Sequence, residues 1–277
     1  MDHHGDGRSQ VVQRLDLKNG RHLAYRDQGQ GQALVLVHGS PGEGRAWARV
    51  LPHLEGKFRI VTPDLPGYGE SDPAHLPGTQ AKAAAIAALI RAIGQPVWLC
   101  GHSYGGNVAL HAALEVPEAL LGLGLFEPVL MRALELAGEH VRLAAARQFF
   151  SDYIAEVESG APDAVGTMID YWFGQGAYRR LPPKVIESLR MGAARNALDV
   201  RAAFAETLTR DDMAAFPVLA RIVHGDAGPQ TAPAIARALR QLLPRAALAA
   251  IPGAGHGMLD SHPAEVAAEI RALTSRA

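Results

Sequence analysis

The sequence predicts an α/β fold: a mostly parallel, doubly wound sheet with an inserted helical cap. Three observations predict it. Short apolar runs alternate with helix-like runs, the order that builds a parallel sheet. Some runs, ALVLV at 33–37 among them, are continuously apolar, as strands covered on both faces must be. The alternation stops at about Pro128 and resumes after Asp212. A core is therefore expected at 1–127 and 213–277, with a helical cap at 128–212 over one edge of the sheet.

The elements follow in order. QRLDLK and RHLAYRDQ, within residues 13–28, read as two strands joined by Asn19-Gly20, a strong hairpin signal. ALVLVHG is a buried strand. Arg45 to Leu54 can be helical, and FRIVTPDLP is a strand ended by Pro66 and Gly67. AKAAAIAALIRAI is an alanine-rich helix that Gly94 can cap. PVWLCG is a strand, Asn107 to Glu115 a helix stopped before Pro117, and LLGLGLF a strand. In the cap region the aromatic residues Phe149, Phe150, Tyr153, Tyr171, Trp172 and Phe173 accumulate. PVLARIVHG and AALAAIPG are the last strands. The last helices are Ala232 to Leu243 and Pro263 to Leu273, the second with proline in its first turn.

The 277 residues are 48% hydrophobic, enough for a sizeable core. A formal net charge of −1 favours neither nucleic acid nor an anionic membrane surface. The single cysteine, Cys100, excludes an intrachain disulfide and a multi-cysteine metal cage, and reads as a buried strand residue. MDHHGDGRSQ lacks the apolar stretch of a secretory signal, and His3 and His4 read as tail residues rather than a metal site. No segment approaches the roughly 20 apolar residues of a membrane span, so a cytoplasmic protein is expected. The sequence is silent on oligomeric state.

The chemistry concentrates in PVWLCGHSYGGNVALHAAL, 96–114, where Ser103 stands between a strand and a helix. A sharp turn there needs small neighbours, and Gly101, Gly105 and Gly106 supply the room. The serine is then lifted out of the sheet at the positive end of the helix. Three more stretches accompany it: HGSPG at 38–42, DLPGYGESD at 64–72 and GAGH at 253–256. In this order and spacing the chain resembles the α/β-hydrolase fold family over nearly its whole length, in the form of an esterase-like serine hydrolase with a helical cap.

The resemblance implies an oxyanion hole built from the backbone N–H groups of Ser40 and Tyr104; Pro41 has no N–H to give. DLPGYGESD is expected to shape the sheet edge and is assigned no chemistry. Of twelve histidines, His256 follows the last strand among glycines and occupies the family's histidine position. A near-neutral imidazole can take the serine proton and return it to a leaving group. His102 should point away from Ser103, because side chains alternate along a strand. His38 should orient loop backbone, and His111 and His224 read as packing or surface residues. Most family members carry the acid three residues after the glycine ending the penultimate strand, but here that position is Gly228. Some place it one strand earlier, where this chain has Glu127 before Pro128; Asp226 is the alternative acid, with turn formation as its other role.

A serine nucleophile implies acyl transfer through an acyl-enzyme, with no metal and no organic cofactor. The expected substrate is a small-molecule carboxylic ester. Lactones, thioesters, C–C bonds and N-terminal proline peptides are the alternatives on the same machinery. A non-catalytic binding protein and cofactor-independent oxygen chemistry are alternatives of other classes. Trp47, Tyr104, Phe149, Tyr153 and Trp172 are the expected pocket walls, with packing of the cap against the core as the other role, and the more common one, for most of the cap aromatics.

Overall fold

The structure is a computed structural model and describes residues 11–18, 20–73 and 78–275. The expected turn residue Asn19 and the tail residues His3 and His4 lie outside these. Eight strands form one sheet: β1 (Gln13–Asp16), β2 (His22–Gly29), β3 (Ala33–Val37), β4 (Arg59–Pro63), β5 (Val97–His102), β6 (Leu120–Phe126), β7 (Ala220–Gly225) and β8 (Ala246–Ile251). Their spatial order is β1-β2-β4-β3-β5-β6-β7-β8. β1 and β2 pair antiparallel, as does β2 with β4, and every other pairing is parallel. β3 lies between β4 and β5, so the chain reverses its direction of travel across the sheet there. Open α/β sheets leave a crevice at such a switch point, beyond the carboxyl ends of the strands.

The helices are α1 (Thr79–Ile93), α2 (Tyr104–Glu115), α3 (Met131–Leu136), α4 (His140–Glu158), α5 (Ala164–Phe173), α6 (Pro183–Phe204), α7 (Arg210–Ala214), α8 (Thr231–Leu242), α9 (Met258–Ser261) and α10 (Pro263–Thr274). Alternation along the central strands feeds two cores. Val35, Val37 and Leu99 join Ile86, Leu89 and Val108 in the larger core, which runs on into Phe150 and Trp172 of the helical segment. Leu34, Leu36, Trp98 and Cys100 join Trp47, Val266 and Ile270 on the opposite face. Burial pushes the Cys100 thiol up to about 12.

Four boundaries differ from expectation. Residues 45–54 do not form one helix: two short 3₁₀ turns, Gly44–Trp47 and Leu51–His53, replace it, with Pro52 in the second. α2 starts at Tyr104 rather than Asn107, because Gly105 and Gly106 are poor helix formers that hide a real helix start. α1 begins two residues early, at Thr79. α9, four residues long, was not expected.

Candidate active site

β5 ends at His102, and the chain turns into α2 through Ser103, whose φ is +57° and ψ −128°. This strained conformation for a non-glycine residue persists because its surroundings fix it. Ser103 N–H donates to the Phe126 carbonyl at 2.9 Å, and the Ser103 carbonyl accepts from Gly106 and Val129. The turn also needs backbone contact on both sides. A Cβ on Gly105 would stand 2.2 Å from the His38 carbonyl oxygen, and one on Gly101 would stand 2.3 Å from that of Gly105. No side chain fits either place.

Glu127 leaves the end of β6, likewise at positive φ (43°), with its N–H bonded to the Val223 carbonyl at 2.8 Å. Its side chain is fully buried. Oε1 accepts from the Gly225 N–H at 2.8 Å, and Oε2 lies 2.8 Å from His256 Nδ1. A carboxylate only accepts, so Nδ1 carries the imidazole proton and leaves Nε2 as the acceptor. Nε2 lies 2.8 Å from Ser103 Oγ. The structure thus brings Ser103, His256 and Glu127 into one buried chain of hydrogen bonds able to move the hydroxyl proton onto the ring. It does not bring Asp226 there. That side chain is exposed and accepts from the Gly253 N–H at 2.7 Å, a turn contact.

His102 is not the partner of Ser103, but it supports the site from beside it. Its Nε2 donates to the His256 carbonyl at 2.9 Å and so braces the loop behind the imidazole. Burial, then the neighbouring His256, lowers its pKa to about 3. His38 orients loop backbone: Nδ1 donates to the Gly39 carbonyl (2.7 Å) and Nε2 accepts from the Leu65 N–H (2.8 Å). Burial lowers its pKa to about 4. His224 donates from Nδ1 to the Gly225 carbonyl. His111 is neither simple packing nor surface, since it pairs with Glu206, a nearly buried carboxylate that also accepts from Thr79 and Asn107.

Tyr104 follows Ser103 at the start of α2, and Ser40 lines both cavities beside it. The Ser40 side chain enters a second buried chain. Asn196 Nδ2 donates to Ser40 Oγ at 3.0 Å, and Ser40 Oγ lies 2.7 Å from the Tyr68 hydroxyl. Tyr68 donates to Asp199 Oδ2 at 2.6 Å, while Lys82 Nζ lies 2.8 Å from Asp199 Oδ1. With the tyrosine proton committed to Asp199, the Ser40 hydroxyl must donate to Tyr68. Burial, then Asp199, raises the Tyr68 pKa well above the usual phenol. Tyr68 belongs to DLPGYGESD, so that stretch reaches the site, against the expectation that it only shapes the sheet edge.

Two cavities meet at Ser103. One, of about 30 Å³, is walled by Val129, Met131, Phe150, Val200 and Phe204 together with the polar Ser40, Asn196 and Asp199. The other, of about 200 Å³, is walled by His256, Phe173, Leu259 and Pro41. Met168 and Trp172 line both. Trp172 stacks on the His256 imidazole, ring centroids 4.4 Å apart and planes at 24°. Three expected wall residues are elsewhere. Trp47 is packed edge-on against Phe126 in the second core. Phe149 stacks on Tyr171, leaving its neighbour Phe150 to line the narrow cavity. Tyr153 is fully buried behind the wall and donates to Asn196 Oδ1 at 2.6 Å. Sequence reasoning missed Tyr68, Met168, Asn196 and Asp199. A signal existed only for α6, where 196, 199, 200, 203 and 204 repeat at helical spacing.

A sequence profile of the Alpha/beta hydrolase family matches residues 34–269, and the chain belongs to that family. It is 39% identical over 144 residues to the lipase LipV of Mycobacterium tuberculosis, covering 50% of this chain and 53% of that protein. It is 45% identical over 92 residues to a pimeloyl-[acyl-carrier protein] methyl ester esterase of Vibrio vulnificus, 33% of this chain and 35% of that one. The aligned part thus spans about half of the first relative and a third of the second. A longer match, 30% identical over 88% of this chain and 93% of the relative, is to a non-heme chloroperoxidase of Streptomyces lividans. Among solved structures, an esterase from Thermogutta terrifontis superimposes with TM-score 0.70 at 24% identity, covering 96% of this chain and 98% of that one. A bromoperoxidase from Bacillus anthracis does so with TM-score 0.76 at 20% identity, covering 96% and 100%. Both establish the shared fold. No helix among the described residues is long and apolar enough to cross a membrane.

Proposed function

We propose that this protein is a serine hydrolase that cleaves a small-molecule carboxylic ester through an acyl-enzyme. The observation that carries the reading is the unbroken chain Ser103–His256–Glu127, with both contacts at 2.8 Å. His256 Nε2 takes the Ser103 proton as Oγ attacks the ester carbonyl. The oxyanion that forms is held by the N–H groups of Ser40 and Tyr104, donors that can each be worth about 3 kcal/mol in the transition state. Glu127 holds the tautomer and faces the imidazolium. The imidazolium then protonates the departing alcohol, and water repeats the cycle on the acyl-enzyme. Residues 128–212 act as the cap over this centre, and the lipase and esterase names of the relatives support the same chemistry.

Steady-state hydrolysis of esters of increasing acyl length, compared between the wild type and Ser103→Ala, tests the reading. We expect the variant to lose about 10⁴-fold or more in kcat, and a fluorophosphonate to label Ser103. Full activity in the variant would overturn the mechanism. The kinship with a chloroperoxidase over most of the chain favours a second reading, oxidative halogenation at the same centre. Activity toward halide and peroxide that survives Ser103→Ala would decide for it.

A further inference from the structure

The two cavities at Ser103 are not equivalent chemically. The leaving oxygen of the tetrahedral intermediate must receive its proton from His256 Nε2, so the alcohol part lies on the side where His256 forms the wall. That is the wider cavity, of about 200 Å³. The acyl part then enters the narrow one, of about 30 Å³, which His256 does not line. Its size suits a short acyl group.

Most of that narrow wall is apolar, but α6 adds two polar side chains three residues apart, Asn196 and Asp199, both 3% exposed or less. Asn196 accepts from Tyr153 at Oδ1 and donates once from Nδ2, to Ser40. A primary amide has two N–H donors. The second has no partner among the described residues. Each Asp199 oxygen takes one donor, Lys82 at Oδ1 and Tyr68 at Oδ2, and keeps a lone pair. The wall therefore offers one buried donor beside one buried acceptor. A plain hydrocarbon chain pressed against it would desolvate both without satisfying either.

We propose that the narrow cavity is a subsite for a short acyl group bearing a hydroxyl, which accepts from Asn196 Nδ2–H and donates to Asp199. The substrate class is then esters of short hydroxy acids with a larger alcohol. This rests on the ester-hydrolase reading above.

The test compares kcat/KM for naphthyl esters of β-hydroxybutyrate, butyrate and octanoate in the wild-type protein. Sites built to hydrogen-bond a substrate hydroxyl discriminate strongly against its deoxy analogue, so we expect β-hydroxybutyrate to exceed butyrate by at least about tenfold, with octanoate slowest. Asn196→Leu should bring the first ratio close to one, and fluorophosphonate labelling reports whether Ser103 is still reactive in that variant. If the variant does not fold, inhibition of the wild type by free β-hydroxybutyrate against free butyrate measures the same preference. A wild-type ratio of one or less overturns the subsite and leaves the hydrolase reading standing. Labelling of Ser103 without hydrolysis of any of the three esters also overturns the subsite. Absence of both labelling and hydrolysis overturns the hydrolase reading, and the subsite with it.

Discussion

Two buried polar chains meet beside Ser103, and they are built differently. Ser103–His256–Glu127 hangs on the sheet: one residue follows β5, one follows β6 and one lies in the loop after β8. Its backbone is tied to neighbouring strands through the Phe126 and Val223 carbonyls. Ser40–Tyr68–Asp199, with Lys82, Asn196 and Tyr153, spans from the loop after β3 to α6 and α4. The first chain closes within the core. The second closes only when α6 is seated, and it buries an ion pair, an arrangement that often costs stability rather than adding it. The contrast teaches a division of labour: the Ser103–His256–Glu127 hydrogen bonds are fixed by strand register, while the polar wall beside Ser103 depends on the helices between β6 and β7.

Substitutions can break this contrast. The largest effect is expected from Glu127→Gln, which should lower kcat by about 10⁴-fold, as loss of the orienting acid does in other triads. Asp226→Asn is the control and should cost less than about tenfold. A reversed ranking in steady-state assays would mean that the acid had been assigned to the wrong strand. Tyr68→Phe comes next. It removes the hydroxyl that receives the Ser40 proton, so the Ser40 N–H should lose its placement and kcat should fall by about a hundredfold, with KM little changed. A rise in KM alone would instead make Tyr68 a substrate contact.

The smallest effect is on stability, and it sharpens the comparison because each chain has its own supporting histidine. His102 braces the His256 loop, and His38 braces the backbone at Leu65 that leads to Tyr68. Burial keeps both neutral in the folded protein, with pKa lowered from 6.5 to about 3 and about 4. The unfolded chain binds these protons first, so stability falls as the pH drops below 6.5 and levels off only below the folded values. For His102 the loss between about pH 7 and about pH 5 is roughly 2 kcal/mol. Urea unfolding of His102→Gln, whose amide can still donate to the His256 carbonyl, should lose that much less than wild type over the same interval. An equal loss would show that His102 titrates normally.

The two chains also differed in how far they could be read beforehand. Strands such as LLGLGLF announce themselves by continuous apolarity, and a residue just past a strand end has only one edge of the sheet to occupy. Ser103, Glu127 and the alternative acid Asp226 directly follow strand ends and His256 lies in the loop after β8, and the resemblance to the α/β-hydrolase family was needed to choose among them. Asn196 and Asp199 lie in MGAARNALDVRAAF, which reads as an ordinary polar helix. Their burial comes from docking against β3's loop and α1, segments more than a hundred residues away, so the helical spacing of 196, 199, 200, 203 and 204 marks a face without showing what covers it. The aromatic residues were open to two readings. Trp47, Phe149 and Tyr153 are large and apolar enough to fill either a pocket wall or a core, and packing density decided for the core.

Trp172 stacked on His256 has an optical consequence. The protein has three tryptophans, and Trp47 and Trp98 are held in the second core, away from the imidazole. Of the three, Trp172 stacks on the His256 ring. Trp172 also lines both cavities at Ser103, so part of the intrinsic fluorescence is a spectroscopic gauge of what fills them. The protein carries its own optical reporter beside Ser103, readable without a label.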